Sequence, residues 1–167
     1  MQKEVSVVEA WSRKYPEQVV LAVTRNQEGR INLMAVGWIA VVSDDPPMFL
    51  LGIDDQAYTL ELIRENREFV VAYPAASMAE STLYAGTVHG HKEDKGTGSG
   101  LSFIPAVKVG VPLVADAVAN FECRLVDIVR PGNCPLVIGE IVAAHVNSDP
   151  AVKRLYTLDS KYRLGGV

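Results

Sequence analysis

The chain has 167 residues, enough for one domain with a substantial core, and 49% hydrophobic with 22% charged residues describes a folded globular protein rather than a disordered one. A formal net charge of -4 argues against general attraction to nucleic acid or to an anionic membrane surface. Only two cysteines, Cys123 and Cys134, neither in a CxxC pair, favour a reducing cytoplasmic setting, and neither a signal-peptide core nor an apolar run of membrane-spanning length occurs.

Gln18 to Arg25 (QVVLAVTR) is β-branched and predicts a strand, followed by the turn signal Asn26-Gln27-Glu28-Gly29. Residues 30 to 43 (RINLMAVGWIAVVS) continue as a strand, halted by Asp44-Asp45-Pro46-Pro47. Within that run Ala35, Gly37 and Ala40 leave room where larger side chains would fill a face. A glycine inside a strand often marks the close approach of a ligand to the backbone. An ordinary central strand is the competing reading. Strands are also predicted over 48–53 and 69–73, the second ended by Pro74. Between them lies a helix over 54–66, with Asp54 or Asp55 as its cap.

Ser77 and Glu80 stand at capping-box spacing and predict a helix over 77–86, with Gly86 as its stop. Residues 87 to 110 form a long Gly-, Lys- and His-bearing loop, of a length that is usually functional or mobile. ANFECRLVDIV (119–129) alternates, with Phe121, Cys123 and Leu125 on one face and Asn120, Glu122 and Arg124 on the other. PLVIGEIVAAHV (135–146) is its expected hairpin partner across Arg130-Pro131-Gly132-Asn133-Cys134. Asp149 followed by Pro150 predicts a last helix over 149–156. Many short strands, few helices and no βαβ alternation indicate a mainly β barrel or sandwich with peripheral helices.

Common catalytic signatures are weak. Gly96-Thr97-Gly98-Ser99-Gly100 follows no strand and lacks the lysine and hydroxyl of a phosphate loop, and no GxGxxG occurs. His89 and His91 could face one way on an extended segment, yet a third ligand is not evident and a solvated loop is the better reading. No G-x-S-x-G elbow is present, and neither cysteine carries the signature of a nucleophile. No catalytic side chain and no metal ligand set is therefore assigned.

The order of features nevertheless resembles a known family. Asn32 opens the small-residue strand, Ser43-Asp44-Asp45-Pro46-Pro47 closes it, and Tyr58-Thr59 starts a helix. Glu68-Phe69-Val70-Val71, the loop from Gly90 to Asp94-Lys95, Phe121-Glu122-Cys123, Gly139-Glu140-Ile141-Val142 and Tyr162-Arg163-Leu164-Gly165 follow. Over roughly residues 17 to 165 this resembles the flavin reductase-like, FMN-binding split-barrel family, in its flavoredoxin branch. The resemblance implies a six-stranded split β-barrel of Greek-key type with peripheral helices, acting as a homodimer with FMN near the subunit interface. It implies NADH or NADPH as electron donor, and a flavin, iron or protein acceptor.

By the same resemblance the cofactor would meet Asn32 and the backbone of Met34, Ala35, Val36, Gly37 and Trp38, and the strand end from Gly52 through Asp54 and Asp55. Tyr58 and Thr59 would take the phosphate at a helix start, Lys92 and Lys95 would cover it, and Arg163 would reach across a dimer. Two positions depart from the family pattern. Ala57 stands where many relatives carry arginine, and Gly90-His91 where they show Gly-Arg, so two guanidinium grips on a phosphate are missing. Competing readings are a non-catalytic FMN-binding electron carrier, or a split barrel of the pyridoxamine-phosphate oxidase or haem-binding type.

Overall fold

The computed structural model describes residues 1–166. A short exposed helix, α1 (Val7–Trp11), is capped by Ser6, whose Oγ accepts from Glu9 N. The chain then builds β1 (Glu17–Gln18), β2 (Val20–Arg25), β3 (Ile31–Val36), β4 (Ile39–Asp44) and β5 (Pro47–Gly52). Next come α2 (Tyr58–Asn66), β6 (Glu68–Tyr73), a single 3₁₀ turn over Ala76–Met78, α3 (Ala79–Thr87) and α4 (Lys95–Gly98). The remainder is β7 (Phe103–Ile104), β8 (Leu113–Val114), β9 (Ala119–Val129), β10 (Leu136–Val146), β11 (Leu155–Thr157) and β12 (Leu164–Gly166).

The main sheet has seven strands in the order β3-β2-β6-β9-β10-β5-β4, every neighbouring pair antiparallel. All seven contribute side chains to one cluster, from Val20, Val36 and Ile39 round to Phe49, Phe69, Cys123 and Val137, so the sheet curls around a common core. Its edge strands β3 and β4 are consecutive in the chain and joined only by Gly37 and Trp38. The result is a barrel left open along one seam. The fold is mainly β with peripheral helices, as the pattern predicts, but the main sheet holds seven strands, not six.

The extra strand comes from residues 30 to 43. This run is not a single central strand: it breaks at Gly37-Trp38 into two edges that lie at opposite ends of the sheet order. A ten-residue apolar run read as a centre because its outward side chains are apolar as well. Val41 and Val42 on β4 are exposed, as is Trp38.

A second layer lies outside the barrel. Leu21 and Val23 of β2, Leu33 of β3 and Val70 and Ala72 of β6 pack under α3 and the segment carrying Val109, Val111, Leu113 and Val114. Burial on both faces explains why residues 19–23 are apolar without alternation. The same cover buries the polar side of β9. Asn120 exchanges two hydrogen bonds with the Val114 backbone. Glu122, fully buried, accepts from the amides of Val107, Lys108 and Val109 and from His145 Nε2 at 2.6 Å.

The hairpin of β9 and β10 forms with Val129 opposite Leu136, as its turn sequence predicts. No helix forms over 149–156. Asp149 instead closes a turn by accepting from Ala151 N, and Leu155–Thr157 pairs with β1 and β12 in a three-stranded sheet. The predicted caps are also corrected. Ala57, with no side-chain acceptor, precedes α2, while Asp54 accepts from Gln56 N in the turn before it. Ser77 lies inside the 3₁₀ turn, so α3 starts later than the capping-box spacing suggests.

Candidate functional site

A cavity of about 460 Å³ opens where β3, the start of α2, the end of α3 and the loop 88–95 meet. Its chemistry begins with an unusual helix start. Ala57 caps nothing, so the first amides of α2, at Tyr58 and Thr59, lack an acceptor from a capping side chain. They add the positive end of the helix dipole to that part of the wall. Thr59, buried, accepts at Oγ1 from Asn32 Nδ2 at 2.9 Å, and the same amide group donates to Thr24 Oγ1 at 3.0 Å. This leaves the Thr59 hydroxyl proton free to donate. Asn32 Oδ1 is buried without any donor.

Lys95 enters from the opposite wall. It begins α4, where Asp94 caps the helix by accepting from Thr97 N, and its side chain runs inward to donate to Ala85 O at 2.6 Å. Only 4% exposed and, among the described residues, with no carboxylate in salt-bridge range, the ammonium is pushed down to a pKa of about 8 by burial. Asp94 itself pairs with Arg30 at 3.7 Å and is held below the usual carboxylate range, chiefly by the Thr97 amide.

The loop closes the cavity from above. Gly90 lies so near the floor that a Cβ there would collide with Asn32 Oδ1 and press on the Tyr58 ring. His91 follows, its ring 4.6 Å from that of Tyr58 and its Nε2 3.0 Å from Glu61 Oε2. Free amides, a hydroxyl donor and a buried ammonium converge here on one space, together with one unfilled acceptor. Such a set suits an anionic group attached to a chain of hydroxyls.

The structure brings Asn32, Met34, Asp54, Tyr58, Thr59, Lys92 and Lys95 together on this cavity. The side chains of the other residues assigned from the sequence point elsewhere. Ala35 packs beneath α3, where a Cβ on Gly86 would meet its own at 3.2 Å. Val36 points into the barrel core. Gly37 turns its bare side to Glu17 Oε1 rather than to the cavity. Trp38 lies over Gly52, whose amide donates to the Trp38 carbonyl at 2.8 Å. Asp55 pairs with Arg130, and Arg163 pairs with Asp159 at 3.1 Å on the exposed carboxy-terminal turn. Gln56, Ala85 to His89, Gly90 and His91 line the cavity without having been assigned to it. The length of the loop was the signal for most of them.

Comparison with known proteins decides the family. The Flavin reductase like domain matches residues 12–166, nearly the whole chain. The chain belongs to the flavin reductase-like family. Relatives in this family include a protein of Archaeoglobus fulgidus that is 35% identical, covering 83% of this chain and 76% of that one. A flavin reductase (NADH) of Kitasatospora aureofaciens is 28% identical, covering 77% of this chain and 65% of its own. Among solved structures, flavoredoxin from Methanosarcina acetivorans superposes with a TM-score of 0.85 at 28% identity, over 100% of this chain and 91% of that one. Among the described residues of this flavin reductase-like chain, no helix is long and apolar enough to cross a membrane.

Proposed function

We propose that the chain is an FMN-binding flavoprotein oxidoreductase, with the phosphate and ribityl chain of FMN in the cavity between α2 and Lys95. The observation that carries this reading is the unsatisfied polar set: two uncapped amides of α2 with the orphaned Asn32 Oδ1 on the adjoining β3, and the buried ammonium of Lys95 on the facing wall. Phosphate oxygens match the donors, and a ribityl hydroxyl matches the acceptor. The residues fit the group.

The flavin ring then extends along β3 toward Gly37 and Trp38. As an edge strand, β3 turns every second N–H and C=O away from β2, and such unpaired groups can bond the polar edge of a flat heteroaromatic ring. When bound, FMN supplies hydride and single-electron transfer, chemistry that the side chains here do not. The chain's own task is to hold, orient and shield. Lys95 and the amides of α2 fix the anionic end, and β3 fixes the ring edge. The loop at Gly90 keeps water from the buried polar atoms.

NADH or NADPH is the electron donor in this reading, in line with the relative named for NADH. A flavin, an iron centre or a redox protein accepts. The protein works as a homodimer. Support comes from the outer face of β4, β5 and β10, where Ala40, Leu50, Leu136 and Ile138 line up beside Trp38 and stay exposed or half-buried.

The first experiment is an absorption spectrum after FMN reconstitution and desalting, with the released cofactor identified by chromatography. One retained FMN per chain supports the reading, and a colourless protein that also shows no FMN binding in titration ends it. Steady NADH or NADPH oxidation by the loaded protein then separates a reductase from a non-catalytic electron carrier.

A further inference from the structure

We infer that the contact of His91 with Tyr58 and Glu61 closes the phosphate end of the cavity and makes this chain select flavin mononucleotide over flavin dinucleotide. The inference rests on the FMN reading above and concerns what lies beyond the phosphate. In FAD that phosphate is esterified to a second one bearing adenosine. The extra group must leave past the first turn of α2 or under the loop that follows α3.

Both routes are occupied. Gly90 sits within contact of Asn32 and Tyr58, with no space even for a methyl group. The His91 ring lies tilted on the Tyr58 ring at 4.6 Å. Its Nε2–H donates to Glu61 Oε2, at 3.0 Å, which ties the loop to the first turn of the helix. Steric closure is joined by charge. Glu61 and Asp54 flank the helix start, so a second phosphate leaving past the first turn of α2 would approach two carboxylates, and Lys92 is the exposed cation that the loop sets against them. The inward donors suit a terminal monoester, whose oxygens all remain free to accept. A phosphate linked onward gives up one of these and carries less charge.

His91 and Glu61 are themselves exposed at the rim, with side chains 49% and 54% accessible. Removing them opens the exit without touching the buried Thr24-Asn32-Thr59 chain. Residues that other designs would use to grip a phosphate are here used to shut a door.

Dissociation constants for FMN, FAD and riboflavin, measured by quenching of flavin fluorescence at fixed ionic strength, test this. The unmodified protein should prefer FMN to FAD by about 100-fold or more, and the double variant H91A/E61A should narrow that ratio by about tenfold, mainly by tighter FAD binding. Glu61→Gln keeps a hydrogen-bonding side chain and removes the charge, so it should recover only part of the change. Binding of FAD within about threefold of FMN by the unmodified protein would overturn the inference, as would an unchanged ratio in the double variant. Failure of all three flavins to bind would instead remove the cofactor reading, and this inference with it.

Discussion

Replacing Lys95 by methionine should strengthen the flavin-free protein while weakening its hold on a phosphate. The two signs follow from one fact, the burial of an ammonium that has a carbonyl and no carboxylate as its partner. Burial lowers its pKa from 10.5 to about 8. Below pH 8 the folded chain must carry the charge inside, which costs about 3 kcal/mol at about 1.4 kcal/mol per pH unit. Between pH 8 and 10.5 the unfolded chain holds a proton that the folded one has released, so stability rises with pH across that window. Methionine removes the penalty and leaves the Ala85 carbonyl without its donor, a loss of about 1 kcal/mol. The expected gain at neutral pH is therefore about 2 kcal/mol, fading as pH climbs toward the ordinary lysine value.

Urea unfolding of both proteins without flavin, at pH 7 and near pH 10, reads the first effect. The second is read by FMN titration, where loss of a charge-assisted hydrogen bond should weaken binding about 10- to 100-fold. Binding by the unmodified protein should also weaken above pH 8, because the phosphate then has to draw a proton onto Lys95. A Lys95→Met protein less stable than the parent at pH 7, or equally favoured at both pH values, would refute the argument from burial. Unchanged FMN affinity would remove Lys95 from the site.

Glu122 offers the opposite case, a buried charge fully engaged by three amides and His145. Burial raises its pKa, but the hydrogen bonds from Val107, His145, Lys108 and Val109 together outweigh this and hold the carboxyl below its ordinary value. Its contribution to stability is thus present above the ordinary glutamate pKa and lost as pH falls through the lowered one. Glu122→Gln should cost about 3 kcal/mol in urea unfolding at neutral pH and flatten the fall of Tm as the pH drops below the ordinary glutamate range. Gly139→Val would drive a side chain into the Phe69 ring inside the barrel, and should cost about 1–3 kcal/mol. Ile138→Arg places a charge on the outer sheet face, and, if that face joins the proposed homodimer, should leave the protein monomeric in sedimentation at micromolar concentration.

Local pattern was legible wherever one segment decided its own state. The alternation of β9, the turn before β10 and the helix ending at Asn66, which starts at Tyr58 rather than at residue 54, are present, because each depends on side chains close together in the chain. What could not be read were consequences of distant packing. Leu33 to Val42 looks like one strand because nothing local shows that Val36 and Ile39 enter a shared core from opposite edges of a sheet. Asp149-Pro150 looks like a helix start, yet pairing with β1 and β12 draws Leu155–Thr157 into a strand. The site was split in the same way. Tyr58, Thr59 and Lys95 carried the resemblance, while Ala85 to Gly90 joined the cavity only because α3 ends against β3.

The open seam gives that arrangement its use. A fully closed barrel pairs every strand with two neighbours and leaves no backbone group for a ligand. Here the chain runs from β3 to β4 through two residues, so the edges stay close without pairing, and Trp38 is fixed against Gly52 across the turn. Unpaired backbone along β3 begins beside Asn32 and Thr59, the same residues that meet the uncapped end of α2. One molecule with a flat polar edge and an anionic tail can satisfy both at once. A free phosphate would satisfy the helix alone, and a free ring the strand alone. The buried charge on Lys95 weights the balance toward the tail. The cavity should therefore lose most of its affinity when the phosphate is removed, and riboflavin should bind far more weakly than FMN.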